Sequence, residues 1–195
     1  MRWAVGALML AAACSGPTWA TVEHQVDSRR FERTSIDAAG DLPLGVAAFG
    51  FLDVEPDGAG WFARGNLSRE VLAGIAPVIE AQGQDGFGTR SRAGVAWTVP
   101  VPGVDFVRVL AFPIQEEGGS LLRVVHEHRF AGTRYSIGGF FDVVPDWDGR
   151  AEIVTEQQAR ADIAQHVQAF VEAKANTYLS ADDELGVGIG VRLVW

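Results

Sequence analysis

Two histidines in the stretch "HEH", His126 and His128, have the residue type and spacing of metal ligands. The segment around them, "SLLRVVHEHRF", is rich in residues that favour β-strands. Because side chains alternate along a strand, both imidazoles are expected on the same face. With His166 or an acidic residue as a third ligand, they could bind zinc. The sequence therefore allows the hypothesis of a metal-dependent enzyme that uses His126 and His128.

The residue types give little support to other catalytic chemistry. The chain has one cysteine, Cys14, and one lysine, Lys174, which lies in a predicted helix and is expected to be solvated. The G-x-S-x-G motif of serine hydrolases is missing, and no helix follows the glycine-rich "GVGIGV" to hold a phosphate. We therefore predict no catalytic residues and no cofactor, leave the ligand-binding residues unassigned, and favour a protein without enzymatic activity.

The charge balance of the chain is acidic, with a formal net charge of −9 at pH 7. Sequence-independent binding to nucleic acids needs a clustered basic surface that displaces counterions. Nucleic acid is therefore excluded as a partner. The hydrophobic fraction of 48% is typical of a globular chain, and the length suits one ordinary domain.

The N-terminus, "MRWAVGALMLAAACSGPTWA", contains an arginine, an apolar run and small residues before Ala20. This layout predicts a secretory signal peptide over residues 1–20, because the apolar run is shorter than the ~20 residues of a membrane-spanning helix. The segment "LAAAC" also resembles the cleavage site of bacterial lipoproteins, which implies a lipid anchor at Cys14 as an alternative. The mature protein is therefore expected in the periplasm or outside the cell.

Two helices and several strands are predicted after an irregular, polar lead-in over residues 21–42. The run "LGVAAFGFLDV" predicts a buried strand, and four strands between residues 92 and 144 are expected to form an antiparallel meander. Apolar residues at three-to-four spacing predict one helix in "SREVLAGIAPVIEAQG" and another in "TEQQARADIAQHVQAFVEAKANTYL". Residues 43–195 are therefore predicted to form a single α+β domain, in which two helices cover a largely antiparallel sheet of about 6–7 strands that ends with the C-terminal strand.

The last segment, "ELGVGIGVRLVW", alternates apolar residues with small or charged ones. In a soluble sheet its apolar face would pack under the long helix, and its glycines would let another backbone or a ligand approach the other face. A last strand with a terminal aromatic residue also resembles the closing strand of bacterial outer-membrane β-barrels. This resemblance covers residues 185–195 and implies a small outer-membrane β-barrel, with outer-membrane association, as an alternative.

The many aromatic residues between Trp61 and Phe141 suit either a packed core or an apolar pocket between the sheet and the helices. The predicted order of strand, helix, meander and long helix is similar to that of helix-grip lipid-binding domains. We therefore predict an exported, non-catalytic envelope protein that binds a protein partner or a small apolar ligand. The outer-membrane barrel and the metal-dependent enzyme are the two alternatives.

Overall fold

Twelve β-strands form the regular structure of the chain in the computed structural model, which describes residues 19–56, 60–86, 88–116, 119–145, 151–179 and 184–195. Within these ranges, the one helical element is the 3-10 turn η1 (Pro43–Gly45). The strands are β1 (Trp19–Asp27), β2 (Glu32–Leu42), β3 (Val46–Val54), β4 (Trp61–Arg69), β5 (Ile75–Gln84), β6 (Gly88–Thr98), β7 (Phe106–Gln115), β8 (Leu121–Arg129), β9 (Tyr135–Pro145), β10 (Ala151–Ala164), β11 (Val167–Asn176) and β12 (Leu185–Val194).

The strands form one closed, antiparallel barrel. Each strand pairs with its neighbours in the sequence, and β1 also pairs with β12. In this closing pair Val22 lies opposite Leu193, and Val26 lies opposite Ile189. Closure leaves no strand edge unpaired. We call the end at which β1 begins and β12 finishes the terminal end, and the opposite end the loop end.

The barrel places polar side chains inside and apolar side chains outside. Along β12, the outward residues Leu185, Val187 and Ile189 are 57% to 70% exposed, whereas Gly186 and Gly188 between them are buried. The other large apolar residues exposed on the strands include Ile79, Val95, Trp97, Ile114, Leu122, Phe141 and Val171. The buried polar residues include Thr21, Glu23, Gln25, Ser35, Glu80, Arg123, Asp142, Gln158, Glu172 and Lys174. This distribution is the opposite of that in a soluble globular protein.

Neighbouring groups fill the space that the glycines of β12 leave in the lumen. A Cβ atom at Gly186 would collide with the guanidinium of Arg29. A Cβ atom at Gly190 would collide with the ring of Phe170 and with the carbonyl oxygen of His24. The sequence predicted that the glycines would let another backbone or a ligand approach this face of the strand. In the structure, side chains and backbone of the barrel itself occupy that space.

The predicted α+β fold is wrong, because each of the two predicted helices is a pair of strands. The first segment forms the end of β4, a turn and β5, and the second forms β10, a turn and β11. In β10, Glu156 and Arg160 face the lumen, whereas Ala159 and Ile163 face outward. The same apolar residues also fit a helical spacing, so the local pattern allows both structures. Pairing with strands from outside the segment decides between them.

Residues 21–42, which were predicted as an irregular lead-in, form most of β1 and all of β2. Their lumen-facing positions are polar, so the apolar alternation that identifies a strand is weak here. The predicted strands elsewhere coincide with β3, β6 to β9 and β12. In the part of the chain that the structure describes, no helix is long and apolar enough to cross a membrane. Residues 1–18 of the predicted signal peptide, with Cys14, lie outside the described residues.

Candidate functional site

Paired charges line the lumen of the barrel, which is the candidate functional site. Among the described residues, the acidic partners of the ion pairs with arginine or lysine include Glu23, Asp27, Asp53, Glu80, Glu127, Asp142, Glu156, Asp162 and Glu172. The basic partners in these ranges include Arg29, Arg33, Arg64, Arg92, Arg123, Arg129, Arg160, Lys174 and Arg192. Most of the charged groups of the lumen therefore have a partner of opposite sign.

Arg123 on β8 is the centre of the first network, which consists of Arg64, Glu80, Arg92, Arg123 and Asp142. Its Nε and Nη2 atoms donate to the two carboxylate oxygens of Asp142, each at 2.7 Å. Its Nη1 atom donates to Oε2 of Glu80 at 2.7 Å, although β6 and β7 lie between the strands that carry the two residues. A guanidinium that makes two parallel bonds to one carboxylate is held in a fixed orientation. Arg123 therefore ties β5, β8 and β9 together across the lumen.

Arg64 and Arg92 complete the first network. Nε of Arg92 lies 3.1 Å from Oε1 of Glu80, and Nη1 of Arg64 lies 3.9 Å from Oδ2 of Asp142. Arg64 and Asp142 belong to β4 and β9, between which four strands lie along the wall. The contact therefore spans the lumen. Because Glu80 is only 2% exposed, the network leaves little room for water at this level and narrows the lumen.

The second network, which consists of Arg33, Asp53, Glu156, Glu172 and Lys174, lies on the other side of the barrel. Arg33 donates from Nη1 to Oδ2 of Asp53 and from Nη2 to Oε2 of Glu156, both at 3.0 Å. Lys174 lies 2.8 Å from Oε2 of Glu172. Since β1, β12 and β11 separate the strands of Arg33 and Glu156, this network also crosses part of the lumen. Close geometry on several partners compensates for the loss of hydration of these charges.

An apolar cluster fills the lumen beside the first network. Its members come from β5, β6, β7 and β8, and each is 4% exposed or less: Val78, Ala96, Leu110, Phe112 and Leu121. The guanidinium carbon of Arg92 lies 5.5 Å from the centroid of the Phe112 ring. This side of the lumen is therefore closed by tightly packed side chains.

Three phenylalanines on β3 and β4, which we call the aromatic wall, line the lumen between the two networks. The ring centroids of Phe49 and Phe51 are 6.1 Å apart, and those of Phe51 and Phe62 are 5.5 Å apart. The guanidinium carbon of Arg64 lies 5.4 Å from the Phe51 centroid and 5.3 Å from the Phe62 centroid. All three phenylalanines are half-buried. Trp19 lies 6.3 Å from Phe49, but it precedes the predicted cleavage site and is not included.

The architecture is similar to that of solved porins. The KdgM porin in complex with disordered oligogalacturonate matches with a TM-score of 0.62 at 11% identity, over 90% of this chain and 98% of that chain. The NanC porin matches with a TM-score of 0.59 at 8% identity, over 89% of this chain and 98% of that chain. The chain has a porin-like fold. At these identities the likeness concerns the fold alone.

In sequence, the comparisons give no match. No protein-family profile matches the chain, and no curated protein matches it. The chemistry of the porin-like barrel therefore has to be argued from its own residues.

His126 and His128 lie on the outward face of β8 in the porin-like barrel, in alternation with the lumen-facing Arg123. Nε2 of His126 is 2.7 Å from Oε1 of Gln157, and Nδ1 of His128 is 3.7 Å from Oδ2 of Asp105. The two imidazoles share a face of the strand but contact different partners. Among the described residues, no group of three or more His, Cys, Asp or Glu could hold a metal ion. The metal site at His126 and His128 stays a prediction.

Two other residues singled out from the sequence also lie elsewhere than expected. His166, the suggested third ligand, lies in the turn between β10 and β11, with Nδ1 2.9 Å from the carbonyl oxygen of Val194. Lys174, which was expected to be solvated on a helix, is buried in the lumen. Its ammonium group contacts the carboxylates of Glu156 and Glu172.

Sequence reasoning missed the lumen residues because they resemble the solvated face of a helix or an irregular loop. In β10, Glu156, Gln158 and Arg160 occupy every second position, and in β11 Glu172 and Lys174 have the same spacing. A helix does not place residues two positions apart on one face, whereas a strand does. Polar residues at a two-residue spacing over a whole segment are the signal that could have identified these strands.

Proposed function

We propose that this chain is an outer-membrane β-barrel protein that forms a narrow channel for small polar solutes. The observation that carries the proposal is the inverted distribution of side chains. Glu80 and Glu172 are at most 2% exposed inside the barrel, whereas Ile189 is 64% exposed on the outside. Water disfavours such an apolar outer surface, and lipid chains favour it. A closed barrel also satisfies every backbone hydrogen bond within the hydrocarbon region.

The length of the strands supports a position in a membrane. A spanning strand needs ~9–11 residues, and all strands have 9 to 11 residues except β10, which has 14. The predicted signal peptide would export the chain, so the outer membrane is the membrane we propose. The periplasmic or secreted binding protein, which the sequence favoured, gains no support, because large apolar residues such as Ile79, Ile189 and Val171 are exposed on the outside of the barrel, where a soluble protein is polar.

The chemistry of the lumen supports a channel for small polar solutes. The similar KdgM porin has been solved in complex with oligogalacturonate, a polyanion. Here most cationic groups of the lumen are already paired with a carboxylate, as Arg33 is with Asp53 and Arg123 is with Asp142, whereas Arg108 donates to the hydroxyl of Ser68. A lumen whose charges are mostly paired has little field to attract a polyanion. The contacts of Arg64 and Arg33 across the lumen also restrict the size of what passes.

Cell fractionation and bilayer recording test the proposal. We expect the full chain, expressed in a Gram-negative host, to sediment with the outer membrane and to migrate faster on a gel when it is not boiled. We expect the purified barrel to produce stepwise ion currents in planar bilayers. The outward variant Phe141→Ala should leave the size of the steps unchanged and serves as a control.

The two parts of the proposal can fail separately. A soluble periplasmic product would refute the membrane barrel. A folded, heat-modifiable barrel in the outer-membrane fraction that gives no current steps would refute the channel and leave the membrane location intact.

A further inference from the structure

The aromatic wall is the part of the lumen best suited to contact a passing solute. Phe49, Phe51 and Phe62 are half-buried, whereas Phe112 on the closed side of the lumen is fully buried. From the structure, and on the basis of the proposed channel, we propose that the aromatic wall is a binding track for neutral oligosaccharides. The track runs along the lumen, because Phe49 lies in the first half of β3 and Phe62 lies next to the loop end of β4.

The three rings offer the surface that binds the flat face of a sugar. The face of an aromatic ring carries negative potential, and the C–H groups on the face of a pyranose are weakly positive. The centroids are 6.1 Å and 5.5 Å apart, which is close to the length of one sugar unit. Successive sugars of one chain can therefore stack on successive rings, as successive bases stack on the aromatic side chains of single-strand binding proteins.

The pairing of the strands places a polar side chain beside each ring, directly opposite it on a neighbouring strand. Asn66 lies directly opposite Phe49 on the neighbouring strand, and Asp37 lies directly opposite Phe51. Both face the lumen with the rings. Sugars present hydroxyl groups around the edge of a ring whose faces are apolar, so acceptors at the sides of an aromatic surface suit them. The wall therefore offers both kinds of contact that a sugar needs.

Asp53 extends the same arrangement to the third ring. It lies directly opposite Phe62, and its Oδ2 atom accepts from Arg33 at 3.0 Å. Its pairing leaves acceptor capacity on the carboxylate for a sugar hydroxyl. Each ring of the wall thus has an oxygen acceptor beside it.

The charges at the wall favour a neutral sugar over an anionic one. Asp37 and Asp53 would repel a carboxylate on the sugar. The two nearby cations are already engaged, since Arg33 binds Asp53 and Glu156 and Arg64 lies over Phe51 and Phe62. A uronic acid would have to draw Arg33 away from its carboxylates, whereas a neutral sugar would not; a sugar of either kind that stacks on Phe51 or Phe62 displaces Arg64 from the ring face it covers.

Binding to the folded barrel in detergent tests the track without relying on conductance. The probes are maltohexaose and cellohexaose as neutral oligosaccharides and a six-unit uronic-acid oligomer as the anionic comparison, each titrated by calorimetry. We expect at least one neutral probe to bind more tightly than the anionic one. Phe49→Ala and Phe51→Ala should each weaken that binding about tenfold, because each removes one stacking surface. The outward Phe141→Ala is the matched control and should not change it.

The possible outcomes separate this proposal from the proposed channel. Heat-modifiable migration first confirms that each variant is folded, and the leucine variant of the same residue, Phe49→Leu or Phe51→Leu, replaces an alanine variant that is not. The track is refuted if no neutral probe binds, if the anionic probe binds equally well, or if Phe141→Ala weakens binding as much as the wall variants do. Current steps without sugar binding refute the track alone, whereas sugar binding without current steps refutes the channel alone.

Discussion

Arg64 on β4 and Asp142 on β9 lie 3.9 Å apart, although four strands separate them along the barrel wall. The two side chains meet because both extend into the lumen, where Asp142 is also bound by Arg123. Because of this contact, the first network narrows the lumen and does not only line its wall. The consequences for conductance and for stability can be measured separately.

Removal of the Arg64 side chain should widen the channel. Arg64→Ala deletes one of the groups that cross the lumen, while Arg123 continues to hold Glu80 and Asp142. We expect a larger unit conductance and a shift of selectivity toward cations, because a positive charge is lost from the constriction. Single-channel recording with a salt gradient measures both quantities. Arg129→Ala removes the same charge from an exposed pair with Asp162 and should have a smaller effect; equal currents in wild type and Arg64→Ala would contradict the prediction.

Removal of the Glu80 charge should destabilise the barrel strongly. Glu80→Gln leaves the buried guanidinium of Arg123 with one carboxylate partner instead of two. Loss of one partner from a buried ion pair costs about 3–5 kcal/mol of unfolding free energy. Reversible urea unfolding in lipid vesicles, followed by tryptophan fluorescence, measures the change. The control Glu32→Gln removes an exposed charge that pairs with the exposed His24 and should cost less than about 1 kcal/mol.

A charge on the outer face should be costly, and the same charge in the lumen should not. Ile189 is the fifth residue of β12, is 64% exposed and faces outward. A lysine near the bilayer midplane costs about 2–4 kcal/mol, and we expect this loss for Ile189→Lys in the urea experiment. Asn66→Lys places the lysine in the lumen directly opposite Glu80 and should cost much less. If the two variants lost the same stability, the assignment of inner and outer faces would be wrong.

The irregular register between β6 and β7 should make Gly94 intolerant of a side chain. The pairing of the two strands shifts between Ala93 and Val95, and a Cβ atom on Gly94 would collide with the carbonyl oxygen of Ala111. Gly94→Ala should therefore cost about 1–3 kcal/mol of unfolding free energy, the usual penalty for overpacking. At Gly50 the nearest atom to an added Cβ, the carbonyl oxygen of Arg64, is 3.6 Å away, so Gly50→Ala is the control and should be tolerated.

Tyr178, in the segment after β11, should ionise at unusually high pH. Partial burial and the hydrogen bond to Glu152 raise the pKa of its phenol above the ordinary range, although the residue is 52% exposed. Because folding favours the protonated phenol, this stabilisation is complete at neutral pH and is lost as the pH rises through the raised pKa. The chain has two tyrosines, so absorbance at alkaline pH should show a late transition that disappears in Tyr178→Phe. A wild-type titration without that late transition would contradict the prediction.

The strands with a clean apolar alternation or an apolar run could be predicted from the sequence. In β12, Leu185, Val187 and Ile189 alternate with glycines, so a strand follows from the pattern alone. In β10 the alanines, glutamines and charged residues have good helical propensity, and the apolar residues also fit a helical repeat. Local preferences could not exclude a helix there, and the tertiary pairing with β9 and β11 overrode them.

The candidate site was less predictable than the fold, because its partners are distant in the sequence. Arg33 and Glu156 are separated by 123 positions, and no spacing rule links them. The histidines that the sequence brought forward, His126 and His128, lie outside the lumen, because alternation fixes that two residues share a face but not which face is the inner one.

The sequence by itself determined the acidic balance, the alternation of the last strand and the strands with strong β-forming residues, and it predicted a signal peptide. These properties depend on single residues and their near neighbours. Only the tertiary structure decided that the sheet closes, that its apolar side faces outward and that the charged residues form two networks across a lumen. The physical reason is that a charged side chain can be accommodated either in water or in a well-matched buried pair, so the sequence cannot distinguish a solvated face from a lumen until the partner strands are in place.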